Sequence, residues 1–153
     1  MASEYRWRID TSSRSKFYLT AAVRESMTLL KAEGSTKRRK RLEEICKRFP
    51  ESIVEVAGDS HLAFRIRKRI FAYYLFDHHG DGIIAFCCKS SLSEQKRLIK
   101  EDPDSFFAPP YLGPKGWVAI RLDLNEVDWE TIGELARRAY QDTAPRKLAA
   151  RAE

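Results

Sequence analysis

The sequence predicts one α+β domain, a two-layer sandwich in which helices cover one face of an antiparallel sheet. Short runs rich in β-forming residues between residues 52 and 89 are separated by turn residues, which is typical of an antiparallel meander. Helical periodicity precedes and follows this region. A length of 153 residues is enough for one hydrophobic core. The predicted order of elements is α-β-β-β-β-α-β-α.

The first helix of the domain is predicted to begin near Thr36, a residue that can cap a helix N-terminus, and to end at Pro50. Its apolar residues recur at helical spacing and would face the core: Leu42, Ile45, Cys46 and Phe49. Five cations fall in or just after the predicted first turn: Lys37, Arg38, Arg39, Lys40 and Arg41. Because cations oppose the helix dipole there, the turn is either frayed and solvated or in contact with a phosphate.

Four strands follow the first helix. The runs that are bounded by turn residues are Ser52–Ala57, His61–Ile66, Ile70–Phe76 and Ile83–Lys89. Gly58-Asp59 forms the first turn, and Arg67-Lys68-Arg69 leads into the third strand. Strands joined by such short turns pair antiparallel with their neighbours.

The second half of the chain adds two helices and one strand. Ser91 and Glu94 form a capping box that starts a helix, which Asp102-Pro103 stops. A rigid loop, Pro109–Gly116, then leads into strand Trp117–Leu122. The last helix is predicted from about Asp128 to Asp142, and the tail after it is predicted to fray.

Residues 1–35 differ from the rest of the chain because they are rich in Arg, Ser and Thr and contain few acids. We expect a disordered or partly helical extension at residues 1–35, followed by the domain at residues 36–150. Two alternatives remain open. The natural protein could start at Met27, or the segment could be a transit-type peptide, which shares this composition.

A succession of short motifs resembles the MmcQ/YjbR family over residues 37–150. The stretches that carry the resemblance are Phe64-Arg65-Ile66, Ile70-Phe71-Ala72, Asp77-His78-His79-Gly80-Asp81-Gly82, Asp102-Pro103, Phe106-Phe107, Pro109-Pro110-Tyr111-Leu112-Gly113, Gly116-Trp117-Val118, Asp128-Trp129 and the segment from Ala144 to Ala150. The succession is specific, although no single piece is. It implies a frataxin-like (CyaY-like) fold, a curved antiparallel sheet backed by helices that is often called a double wing.

For function, the resemblance implies a cytoplasmic DNA-binding or regulatory protein, because members of the family commonly carry a DNA-binding label. Some members carry a folate-dependent formyltransferase label, but no residue set for that chemistry is visible in this chain. A frataxin-like role with iron would need an acidic ridge on the first helix, where this chain has five cations instead.

The charge distribution favours local rather than domain-wide contact with DNA or RNA. Residues 1–41 hold 11 Lys and Arg against 4 Asp and Glu, whereas residues 42–144 hold 14 against 17. Beyond the first helix, the candidate phosphate-binding residues lie at one hairpin, beside Tyr73 and Tyr74: Arg65, Arg67, Lys68 and Arg69. The alternative is a sheet surface that these cations only keep soluble. No sequence-reading motif is visible, so binding would depend on phosphate contacts and on salt.

A different function class is a non-catalytic module that binds an unknown protein or small ligand. Tyr111 and Trp117 would line its cleft beside the hairpin. The alternative is that Pro and Gly fix this loop while the two aromatic side chains cover the core.

We predict no catalytic residues, cofactor or metal site, and therefore no enzyme. Cys46 falls on the core face of a helix, while Cys87 and Cys88 are neighbours in a strand and point to opposite faces. Nucleophile-elbow, phosphate-loop and dinucleotide motifs are absent. The odd cysteine count argues against a secreted disulfide framework, and no apolar run is long enough for a membrane span. We therefore expect a cytoplasmic protein without a membrane partner.

Overall fold

The computed structural model of the protein describes residues 21–58 and 60–152. Most of the predicted extension, residues 1–20, lies outside the described residues. The chain divides into two compact units, Met1–Ala32 and Glu33–Glu153. The sheet and all the contacts discussed below belong to the second unit.

The second unit is an open antiparallel sheet with helices, which confirms the predicted α+β class. The elements of the chain, of which only α1 begins in the first unit, are α1 Ala21–Lys47, β1 Ser52–Ala57, β2 His61–Ile66, β3 Arg69–Phe76, β4 Ile84–Cys88, α2 Leu92–Glu101, β5 Phe106–Phe107, β6 Val118–Arg121, α3 Trp129–Thr143 and α4 Arg146–Ala149, among the described residues. Short 3-10 turns occupy His78–Gly80 and Gly113–Lys115. The six strands lie in the order β1-β2-β3-β4-β6-β5, and every neighbouring pair is antiparallel.

Helix α1 is the element that differs most from its prediction. It passes through Thr36 without a break, so the predicted helix start at that residue is wrong. The neighbouring Ser35 is buried, and its hydroxyl forms a 2.8 Å hydrogen bond with the hydroxyl of Tyr74 on β3. This tertiary contact offsets the low helix propensity of the Gly34-Ser35-Thr36 segment. Residues 37–41 therefore have no helix N-terminus beside them, and the dipole argument for a phosphate at that turn does not apply.

The two faces of the sheet are filled by side chains of different size. The face under α1 and α3 carries the large buried residues of the core: Leu62, Phe64, Ile66, Tyr74, Phe86, Val118, Ile120 and Leu122. The opposite face carries a smaller cluster of Ala85, Cys87, Ala119 and Trp117, against which Tyr73 and Leu112 pack. The loop at residues 108–116 thus covers part of the face that has no helix.

A β-bulge in β3 places two consecutive residues of that strand on the same face of the sheet. Phe64 pairs with Ala72 and Arg65 pairs with Ile70, so Phe71 is the extra residue. Phe71 and Ala72 both enter the helix-covered core, where the Phe71 ring meets the Tyr140 ring edge-on at 5.6 Å. Because residues paired across strands share a face, Arg65 lies on the face opposite the helices.

Two elements near the C-terminus were not predicted. Strand β5 has two residues, too few for a visible period. Helix α4 lies where a frayed tail was predicted, and it is held because Leu148 and Ala152 are buried. The Gln141 side-chain amide also donates a 3.0 Å hydrogen bond to the carbonyl of Ala152. Within the part of the chain that the structure describes, every helix falls short of the length and apolarity that a membrane crossing needs.

Candidate nucleic-acid interface

Two of the five cations predicted as phosphate contacts on α1 are occupied by tertiary contacts. The Arg38 guanidinium donates to the carbonyl of Leu122 and, at 3.3 Å, to the carbonyl of Asn125. The Arg41 guanidinium lies over the Trp129 ring, 4.6 Å from its centre. Both side chains therefore help to hold α1 against the end of β6 and the start of α3.

The other three cations of this group differ in whether they form an ion pair. Arg39 pairs with Glu43 at 3.3 Å along the helix. Lys37 and Lys40 are exposed, and no carboxylate among the described residues lies within ion-pair distance of either. Contact between these residues and a nucleic acid stays a prediction, now without support from a helix end.

Arg65 does not join the other hairpin cations, contrary to the predicted cationic corner. Its guanidinium pairs with Glu55 of β1 on the face opposite the helices, and its Nε is buried without a hydrogen-bond partner. The side chains of Tyr73 and Tyr74, the tyrosines beside these cations in the sequence, are also held in contacts within the domain. Tyr74 is 2% exposed, and the Tyr73 ring packs against Trp117 at 5.7 Å.

The remaining hairpin cations surround a groove at one end of the sheet, which we call the basic notch. Its cavity measures 480 Å³, and its lining residues are Ile66, Arg67, Lys68, Arg69, Thr143, Ala144 and Pro145. Arg67 and Lys68 form the hairpin turn, while Arg69 pairs with Ile66 and so faces the helix side. The notch therefore lies between the tip of the β2–β3 hairpin and the junction of α3 with α4.

Helix α4 and the turn after it bring further cations to this end of the domain: Arg146, Lys147 and Arg151, all exposed. The Tyr140 hydroxyl donates a 2.6 Å hydrogen bond to the carbonyl of Pro50. Burial raises the pKa of Tyr140, while Glu51 raises it further and Arg151 lowers it, which places both charges near that hydroxyl. These cations were not predicted as site residues, because the tail that carries them was expected to fray.

Two residues at this end have a backbone conformation that side chains other than Gly rarely adopt. Glu51 and Arg67 both have a φ of 55°, and their side chains form an ion pair at 3.7 Å. Left-handed backbone costs a residue with a Cβ about 1 kcal/mol or more. Glycine or asparagine is the usual residue at such hairpin positions, so an arginine there is kept at the expense of stability.

Two other grooves are less suited to an anion. The groove between α1 and α3 measures 510 Å³ and mixes Arg41, Arg48 and Arg137 with Glu44 and Glu130. The groove between α2 and α3 measures 500 Å³ and carries more carboxylates than guanidinium groups: Glu94, Glu101, Asp102, Glu130 and Glu134 against Arg97 and Arg138. Carboxylates in a lining repel phosphate, so the basic notch is the best candidate among the three.

The predicted ligand cleft at Tyr111 and Trp117 has little geometric support. Tyr111 is 81% exposed, whereas Trp117 is 9% exposed within the cluster on the helix-free face. Neither residue lines the three grooves described above. Trp117 instead covers the core of that face.

The three cysteines are unsuited to nucleophilic chemistry. All are free and buried, and burial raises the pKa of each thiol, that of Cys87 to about 12. They are therefore protonated at neutral pH and are weak nucleophiles. Among the described residues, no three His, Cys, Asp or Glu side chains are grouped so that they could hold a metal ion.

Comparison with known proteins supports the fold and identifies the family. A solved structure of a Deinococcus radiodurans protein, DR2400, which carries a DUF419 domain, is similar with a TM-score of 0.57 and 24% identity, covering 72% of this chain and 81% of that one. No curated protein matches the sequence. The YjbR family model matches residues 47–142, well over half of the chain. The protein therefore belongs to the YjbR family.

Proposed function

We propose that this YjbR-family protein binds nucleic acid through phosphate contacts at the end of the domain that holds the basic notch. The observation that carries this proposal is that Arg67, Lys68 and Arg69 line the notch, and that α4 starts directly after Pro145, another of its lining residues. This helix and the turn after it carry Arg146, Lys147 and Arg151. Of these six, only Arg67 pairs with a carboxylate among the described residues. The proposal concerns binding alone, without a catalytic step or a cofactor.

Unpaired cations held close together repel one another, and an anion relieves that repulsion. A polyanion does so most effectively, because each neutralised phosphate also releases condensed counterions. The left-handed Arg67 agrees with this role. A residue kept in a strained conformation at a turn where Gly would be easier is a common sign of a binding function.

The proposal is tested by removing the hairpin charge from the full chain. In the triple variant Arg67→Ala, Lys68→Ala, Arg69→Ala we expect binding to a labelled 20-base-pair DNA to weaken about tenfold or more. The salt dependence should also fall, with the slope of log Kd against log salt dropping by about 2 to 3. Fluorescence anisotropy between 50 and 200 mM salt, roughly the range over which phosphate contacts change most, measures both quantities.

The control is a second triple variant, Lys96→Ala, Lys100→Ala, Lys115→Ala, which removes equal charge from exposed lysines outside the notch. Its affinity should stay close to that of the unmodified protein. Equal losses in both triples would mean that net charge alone drives association. Absence of binding by the unmodified chain at low salt would refute the proposal altogether.

A second prediction separates stability from binding at the hairpin. We expect Arg67→Gly to raise the free energy of unfolding by about 0.5–1 kcal/mol, because it removes the left-handed strain at φ 55°. The same change should weaken DNA binding about threefold, since one phosphate contact is lost. Urea unfolding and anisotropy measure the two effects.

Lys68→Gly is the matched control, because Lys68 occupies the same turn without a positive φ. It should lower stability, since Gly adds entropy to the unfolded chain. If Arg67→Gly lowers stability as much as Lys68→Gly does, then the left-handed backbone at Arg67 does not cost free energy.

A further inference from the structure

We infer that the basic notch receives one unstacked base, so that the protein prefers single-stranded nucleic acid to a duplex. This inference rests on the proposed function and specifies its substrate. It comes from the contrast between the floor of the notch, which is apolar, and its rim, which is cationic.

The floor is built from side chains that offer a base a dry surface. The accessible apolar surface comes from Ala144, which is half-buried, and Pro145, which is exposed, in the extended segment between α3 and α4, whereas Ile66 is 1% exposed. Thr143 contributes the one hydroxyl of the floor, and it already donates a 2.8 Å hydrogen bond to the carbonyl of Ala139. A base would therefore be held by apolar contact, without reading of its hydrogen-bonding edge, and the sequence preference should be weak.

The size of the notch suits a base better than a phosphate alone. Its 480 Å³ lies within the range of about 300–1,000 Å³ found for small-molecule sites. A phosphate would leave the apolar floor unused and would lie at the rim, where Arg67 is 64% exposed. A base on the floor places its own flanking phosphates beside that rim, so one nucleotide satisfies both parts of the site.

Charge alone predicts the opposite preference. A duplex has the higher charge density and releases more counterions for each phosphate that a protein neutralises. Tighter binding to a single strand would therefore have to come from contact with bases, which are accessible in a single strand and stacked inside a duplex. Strand preference thus reports on the floor of the notch, while overall affinity reports on its rim.

The experiment compares a labelled 20-nucleotide single strand, the matching duplex, and a strand of equal length that carries abasic sites throughout its central half. With the full-length protein we expect the single strand to bind about fivefold more tightly than the duplex, the low end of what a base gains on an aromatic ring, because the notch offers apolar contact without a ring. The abasic strand should lose that advantage, because it keeps the phosphates and removes the bases.

Ala144→Leu fills the notch from a half-buried position without changing its charge. We expect this variant to lose the preference for the single strand. Ala150→Leu is the control, because Ala150 is exposed at the same end and does not line the notch. It should retain the preference.

The outcomes separate this inference from the proposed function. If duplex, single strand and abasic strand bind alike, phosphate binding stands and the base site is wrong. If no nucleic acid binds at low salt, both are wrong. An acidic peptide that carries a leucine and binds more tightly than the single strand, with the binding lost in Ala144→Leu, would overturn the assignment of a base as the occupant. The abasic strand keeps the test decisive even if Ala144→Leu fails to fold.

Discussion

Gly116→Ala is expected to lower the free energy of unfolding by about 3 kcal/mol, the sum of left-handed strain and overpacking. Gly116 has a φ of +90°, which a residue with a Cβ adopts only under strain. A Cβ at this position would lie 3.0 Å from the backbone nitrogen of Leu92 and 3.1 Å from the carbonyl carbon of Ser91. Both contacts are backbone atoms, so no side-chain rotation relieves them. Urea unfolding of the full chain measures the loss.

The matched control for this change is Gly133→Ala in α3. Outside the backbone of its own helix turn, a Cβ there would meet no heavy atom within 4 Å, and the φ of Gly133 is not positive. The variant should therefore gain about 0.5–1 kcal/mol from helix propensity. Glycine to alanine is thus expected to lower the free energy of unfolding at Gly116 and to raise it at Gly133. Equal effects would show that the close approach of Gly116 to the start of α2 is not tight.

Gln95→Leu is expected to lower the free energy of unfolding by about 2 kcal/mol, the cost of losing two hydrogen bonds between a buried amide and the carbonyls of a buried loop. Gln95 is 6% exposed on α2. Its side-chain amide donates to the carbonyl of Gly113 at 2.8 Å and to the carbonyl of Trp117. Leucine nearly preserves the volume, so the loss would come from the hydrogen bonds and not from a cavity.

Two readouts test the role of Gln95. Chemical unfolding gives the free energy, and the near-ultraviolet circular dichroism of Trp117 should change if the loop at residues 108–116 shifts. Lys96→Leu, at the next and exposed position of α2, is the control and should stay within about 0.5 kcal/mol of the unmodified protein. If Gln95→Leu behaves like this control, the amide does not anchor the loop.

Those parts of the fold that depend on local pattern could be predicted from the sequence. The bounds of β1 and β2 match their predictions, because alternation and turn residues act over a few positions. Ser91 accepts a hydrogen bond from the backbone N–H of Glu94, as its capping box indicated. The start of α1 was not predictable in this way, since its continuity depends on Ser35 meeting Tyr74, 39 residues away.

The residues of the candidate site likewise include some that local sequence predicts and some that only the tertiary structure reveals. Arg67, Lys68 and Arg69 were identified as candidates from their charge alone. Arg65 is separated from them because β2 ends at Ile66: neighbouring strand residues point to opposite faces, and Arg69 pairs with Ile66. The cations after Pro145 were missed because a four-residue helix is stable only when tertiary contacts bury residues such as Leu148.

The bulge at Phe71 allows β3 to lose one residue without exchanging the faces of the sheet. Because β2 is continuous, deleting Phe71 would leave Arg65 opposite Ile70 and Ile66 opposite Arg69, and the ladder would become regular. Arg69 would still face the helix side, but the core would lose the ring that meets Tyr140 edge-on. A related chain that lacks the residue at position 71 would therefore keep this wall of the notch and would have to fill the core in another way.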